Sequence, residues 1–185
     1  MKLGVFTAAF PTLPLEEIAT WASRTGFEML EIACWPVGVA DRRYAGVTHI
    51  DVGELTKTRA AAIREMLQKR NLGISSLGFY PNPLHPEPEV RKAAFDHLKK
   101  VIKGAELLGV DVVGTFIGRD KNKTVEQNLE LYAKLWPPLV KYAADHGVKI
   151  AIENCPMLFS YDEWPGGTNL ATSPRIWRQM WEIIP

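Results

Sequence analysis

Short apolar runs alternate along this chain with longer stretches whose apolar residues recur every three or four positions. The runs at 2–7, 28–33, 73–79, 110–116 and 148–153 have the length and character of buried strands. Between them Leu15, Ile18, Ala19 and Ala22 line one helix face, and Ile63, Met66 and Leu67 line another. Val90, Ala94, Leu98, Val101, Ala105 and Leu108 make a third face, and Val125, Leu129, Tyr132, Trp136 and Val140 a fourth. Ile176, Trp177, Met180 and Trp181 make the last. One strand followed by one helix, repeated, implies βαβ units and a parallel sheet.

The helix ends carry their own signals. Thr124 with Gln127 fits a capping box, Asp51 with Glu54 an Asp-headed version, and Ser173-Pro174 an N-cap followed by proline at the first helical position. Gly26, Gly73, Gly109 and Gly147 each precede a strand at intervals of about 40 residues, marking a repeating unit. Glycine there suits the left-handed conformation that ends a helix. Pro137-Pro138 should kink or split the fourth helix.

Five units of about 37 residues fill the chain, whereas eight would need roughly 296. Two architectures are open: a doubly wound, flavodoxin-like sheet, or a partial parallel (β/α) barrel of the TIM type, with about five of eight units. The partial barrel is the expectation, as one domain over residues 1–185 that stops before a sixth strand.

Composition narrows the partners. An apolar fraction of 46% and 23% charged residues suit a globular protein. Lys and Arg number 22 against 21 Asp and Glu, so no net field favours nucleic acid or an anionic membrane. Cys34 and Cys155 are the two cysteines, too few for a disulfide framework and compatible with a reducing cytosol. No apolar stretch near the N-terminus is long enough for a signal peptide or a membrane span, so a cytoplasmic location is expected.

The strongest chemical signal is Ile150-Ala151-Ile152-Glu153-Asn154-Cys155-Pro156, an apolar strand that ends in a carboxylate and breaks at proline. In parallel β/α folds the C-terminal strand ends form the active-site face, which puts Glu153 where substrates and metal ions bind. A local cap or salt bridge is the plainer alternative. Glu31 ends the second strand in the same way, either orienting a substrate or forming half of a buried ion pair. Asn82 and His85 lie in a proline-rich loop after the third strand, where the His would be available to a sugar hydroxyl, a phosphate or a metal, with a rigid connection as the plainer alternative. Phe6, Trp35, Phe79, Tyr80, Phe116 and Trp164 gather near strand ends, where flat rings suit the apolar face of a sugar. Arg119 and Lys121 are candidates for a phosphate, although no Gly-rich phosphate loop is present.

The ending Ile152-Glu153-Asn154-Cys155-Pro156 resembles the fifth strand of the xylose isomerase-like TIM barrel family. Gly78-Phe79-Tyr80-Pro81-Asn82-Pro83-Leu84-His85-Pro86 and Gly114-Thr115-Phe116-Ile117-Gly118-Arg119-Asp120 resemble its sugar phosphate isomerase/epimerase members. The resemblance, which runs from Lys2 to Pro185, implies metal-assisted proton transfer on a sugar, sugar phosphate or polyol ketone. It implies that Glu153 is both a ligand of a divalent metal (Mn, Co, Mg or Zn) and a proton carrier. It also implies an Asp, a His and a second Glu on strands six to eight, which this sequence lacks, so activity should be impaired in so short a chain.

Two alternatives follow. One is a non-catalytic half-barrel that pairs as a homodimer or with a complementary half. The other is an abasic-site endonuclease-like protein, disfavoured because the third and fourth strands end without histidine and the net charge is only +1.

Overall fold

Strands β1 (Gly4–Phe6), β2 (Met29–Ala33), β3 (Gly73–Gly78), β4 (Val112–Thr115) and β5 (Lys149–Ile152) form one sheet, every pair parallel, in the spatial order 1-2-3-4-5. The structure is a computed structural model that describes residues 1–38, 46–158, 161 and 166–185. Each strand lies within two residues of the run expected at both ends. A flavodoxin-like sheet would reverse its order after the first strand. No reversal occurs, so the fold is α/β with the winding of a TIM-type barrel, five strands long among the described residues.

The helices are α1 (Leu15–Arg24), α2 (Lys57–Gln68), α3 (Pro88–Leu108), α4 (Val125–Leu135), α5 (Pro137–Asp145) and α6 (Pro174–Ile183). Pro137 splits the fourth helical stretch into α4 and α5, with Trp136 shared between them. Thr124 and Gln127 make both bonds of the capping box. Ser173 Oγ accepts from the Ile176 amide, with Pro174 at the first helical position.

Two expectations are corrected. Asp51 does not head a helix: its carboxylate accepts from the Gly53 amide two residues on, and α2 starts later, with the Thr56 hydroxyl accepting from the Arg59 amide. Asp closes such a local turn as readily as it caps a helix. Gly73 is not left-handed either. Asn71 takes that conformation (φ 56°), and Gly73 already belongs to β3, where a β-carbon would approach the Met29 sulfur to 2.9 Å.

The core lies between the convex face of the sheet and the helices. Leu30, Ile32, Leu77 and Val113 are fully buried there against Ala22, Leu67, Leu98, Val101, Ile102 and Ala105. Each such Leu or Ile contributes about 2 to 3 kcal/mol relative to exposure. Two ends of the predicted helix faces are more open: Val90 is 40% exposed and Trp181 60%. The concave face is different, carrying small or polar residues at Gly4, Glu31, Gly78, Gly114 and Ala151, with Lys149 and Ala151 exposed.

Candidate active site

All five strands point their C-terminal ends to one side, so Phe6, Glu31, Tyr80, Phe116 and Glu153 arise at one rim. Glu31 pairs with Phe6 in register. The β2–β3 register jumps between Leu30 and Glu31, leaving Ser75 as the extra residue of a bulge, the device by which sheets re-aim a side chain.

The Glu31 carboxyl needs space, and two glycines supply it. Gly78 and Gly114 are register partners on β3 and β4. A β-carbon at 78 would come within 2.7 Å of Glu31 Oε1 and 2.9 Å of the Phe6 ring. One at 114 would lie 3.0 Å from the same oxygen and would overlap the Tyr80 hydroxyl. The carboxyl therefore sits in a two-glycine notch of the concave face. Tyr80 donates to Glu31 Oε1 at 2.5 Å. No cation pairs with Glu31 among the described residues. Among the described residues the partner of this carboxyl is the Tyr80 phenol.

Electrostatics follow from that burial. Desolvation pushes the Glu31 carboxyl above the usual carboxylate range, the Tyr80 hydrogen bond opposes the rise, and the charge of Glu153 adds to it. Tyr80 is held well above the ordinary phenol value, first by burial and then by the charges of Glu31 and Glu153. Tyr80 thus keeps its proton. Glu153 itself is exposed, just past β5, its amide bonded to the Thr115 carbonyl. The two carboxyl groups differ in environment, one sheltered and one solvated, and the charge of Glu153 is near enough to act on Glu31.

Aromatic rings wall the site. Tyr80 lies with ring centroids 5.7 Å from Phe6, 6.0 Å from Trp35 and 4.9 Å from Phe116. Trp35 also meets Phe6 at 6.0 Å and Phe79 at 5.8 Å. Phe79 is buried and turns to His97 of α3, whose Nε2 bonds to the Cys34 carbonyl at 2.7 Å.

Asn82 and His85 are placed differently. The Asn82 amide bridges the backbone of Arg119, accepting from its N–H and donating to its carbonyl, both at 2.8 Å. His85 Nδ1 accepts from the Glu87 amide at the start of α3. Trp164 lies outside the described residues. His49 bonds through Nε2 to the carbonyls of Phe10 and Leu13, and His146 pairs with Glu106.

One structural residue has no local signal in the sequence. Asn169, fully buried, accepts from the amides of Ile117 and Gly118 and donates to the carbonyls of Glu153 and Cys155. It fastens the segment bearing Glu153 to the end of β4. Its partners lie up to 52 residues away, so nothing in its neighbourhood announces the role.

A parallel sheet wound in barrel order, with acids and aromatic rings at its C-terminal rim, defines a TIM-type β/α protein. Residues 19–181 match the sequence profile of the xylose isomerase-like TIM barrel, and the chain belongs to that family. It is 28% identical over 145 residues to the uncharacterized protein YfiH of Bacillus subtilis (strain 168), a match covering 76% of this chain and 44% of YfiH. Among solved structures, the "probable 3-DHS dehydratase AsbF" of Bacillus anthracis superposes with a TM-score of 0.71 at 13% identity, over 100% of this chain and 59% of that one. D-psicose 3-epimerase, solved in the presence of D-fructose, gives 0.66 at 14%, over 97% and 60%. The IOLI protein, which holds a zinc atom, gives 0.66 at 16%, over 100% and 58%. The chain thus spans less than half of the curated relative and about three fifths of these structures. At these identities the structural likeness establishes the fold.

The described residues contain no group of three or more His, Cys, Asp or Glu side chains placed to hold a metal ion. Among the described residues Glu153 and Glu31 stand at this rim, and Glu31 is engaged by Tyr80, so these two do not make a complete divalent-ion site. No helix among them is long and apolar enough to cross a membrane.

Proposed function

We propose that the concave rim bounded by Phe6, Glu31, Trp35, Tyr80, Phe116 and Glu153 binds a ketose or related polyol ketone and moves a proton next to its carbonyl, as an isomerase or epimerase does. The observation that carries this reading is the pair of unlike carboxyl groups: Glu31 sheltered in the glycine notch under Tyr80, Glu153 open to solvent. Environments that separate two acids in this way divide acid and base roles between them.

In this scheme Glu153 takes the proton from the carbon beside the carbonyl. The C–H electron pair becomes the C=C bond of an enediol, and the carbonyl oxygen gains the proton held at the Glu31 and Tyr80 pair. A proton delivered to the former carbonyl carbon, as the hydroxyl on the carbon first deprotonated gives its proton to the Glu31 and Tyr80 pair, makes the isomer; a proton delivered to the opposite face of the original carbon, as the former carbonyl oxygen returns its proton to that pair, makes the epimer. The rings of Trp35 and Phe6 take the apolar face of the sugar. The divalent metal implied by resemblance has no complete donor set among the described residues, and no step here uses one.

The test is exchange of solvent deuterium into D-fructose, followed by proton NMR. Loss of a general base costs roughly 10²-fold to 10⁴-fold, so Glu153→Gln should lower exchange by at least about a hundredfold. Equal exchange by wild type and variant removes Glu153 from the chemistry.

A second reading, a half-barrel that pairs with a second copy or a complementary chain, is favoured by the sheet itself. Among the described residues β1 and β5 each have one strand neighbour, and the inner face of β5 is exposed.

A further inference from the structure

The loop after β4 carries a cation that the proton-transfer scheme leaves unused. Arg119 is launched from a backbone held on every side. Asn82 grips its N–H and its carbonyl at 2.8 Å each, and also accepts from the Leu84 amide at 3.2 Å. The preceding Gly118 is left-handed (φ 83°) and packed so tightly on Pro83 and Leu84 that a side chain there would strike their amide nitrogens. The following residue, Asp120, has its amide held by the buried Asn128 at 2.8 Å. Such a frame fixes where the arginine begins.

The far end is given room just as specifically. Gly166, in the segment after β5, lies so close that any side chain at that position would overlap the Arg119 guanidinium. The guanidinium is thereby lodged between the loops after β4 and β5. Yet its Nε is buried and has no hydrogen-bond partner, and no carboxylate pairs with Arg119 among the described residues. A buried guanidinium donor left unmatched is destabilising, and the chain spends Asn82 and Gly166 on keeping it there. The neighbouring Lys121 has a partner of its own.

We propose that Arg119 is an anion subsite on the active-site rim, taking a phosphate or carboxylate group through the fork of two nitrogens of its planar guanidinium. That fork matches two oxygens of either group in one plane, which a lysine ammonium cannot reproduce. Attachment of the anion to a small-molecule substrate handled beside it rests on the proton-transfer reading; binding of the anion does not.

The experiment is calorimetric titration of the full chain with inorganic phosphate. Wild type should bind saturably at one site, Arg119→Gln at least tenfold more weakly, and Arg119→Lys severalfold more weakly. Asn82→Ala should weaken binding while leaving the arginine in place. Thermal melts of each variant establish that it is folded, and Glu153→Gln should bind phosphate as wild type does. Tighter binding of fructose 6-phosphate than of fructose identifies a phosphate ester as the source of the anion. Tighter binding of glucuronate identifies a carboxylate. Absence of saturable phosphate binding, or equal affinity in wild type and folded Arg119→Gln, overturns the proposal. Phosphate binding lost in Arg119→Gln, with no deuterium exchange by any form, upholds the subsite and sinks the proton-transfer reading alone.

Discussion

At the scale of single residues, the two acids differ because their surroundings differ. Glu31 in its notch holds its proton to a higher pH than a glutamate in the unfolded chain. Between those two values the folded state binds the extra proton, so stability falls as pH rises from the ordinary value of 4.5 through the raised folded one. Glu31→Gln keeps an acceptor for Tyr80 and removes the titration. Urea unfolding at a series of pH values should show the wild type losing stability relative to Glu31→Gln from about pH 4.5 upward. A difference independent of pH would mean that the carboxyl is not sheltered. Glu153 is legible as a charge at the end of an apolar strand, whereas Glu31, expected at a strand end too, stands in the middle of β2 with Ile32 and Ala33 after it. Tyr80 as the partner of Glu31 is not legible, because the two lie 49 residues apart and only the sheet brings them together.

At the scale of elements, legibility tracks how local the cause is. The five strands, the Thr124 capping box and the break at Pro137 follow from neighbouring residues, and each stands where the pattern placed it. Asp51 and Gly73 show the limit. Asp51 closes a turn because a nearer amide competes for its carboxylate, and Gly73 is retained for closeness to Met29 rather than for a left-handed turn. The segment after β5 depends on one buried amide at Asn169, whose loss would leave two N–H groups and two carbonyls without their partner. Asn169→Ala should therefore cost about 3 kcal/mol in urea unfolding. A loss below about 1 kcal/mol would show that solvent takes over those groups.

At the scale of the whole molecule, the described sheet is an arc with two bare edges. Beside β5 lies a groove of about 310 Å³, lined in part by Ile150, Ile152, Trp177, Met180 and Trp181. Bare parallel edges and apolar flanks favour association. If copies pair through them, the melting temperature should rise with protein concentration, and light scattering should give twice the mass of the chain. A concentration-independent melt with the mass of one chain would show that the arc stands alone.

The strand order 1-2-3-4-5 also has a meaning in time. Synthesis runs from the N-terminus, and here every strand pairs with the one made just before it, so its template has always left the ribosome first. After β1 no strand waits for a partner still to be translated, and besides the outer edge of β1 the unpaired edge is always the newest strand. The molecule can be laid down as it is read, one unit at a time, with each loop closure spanning little more than one βα repeat.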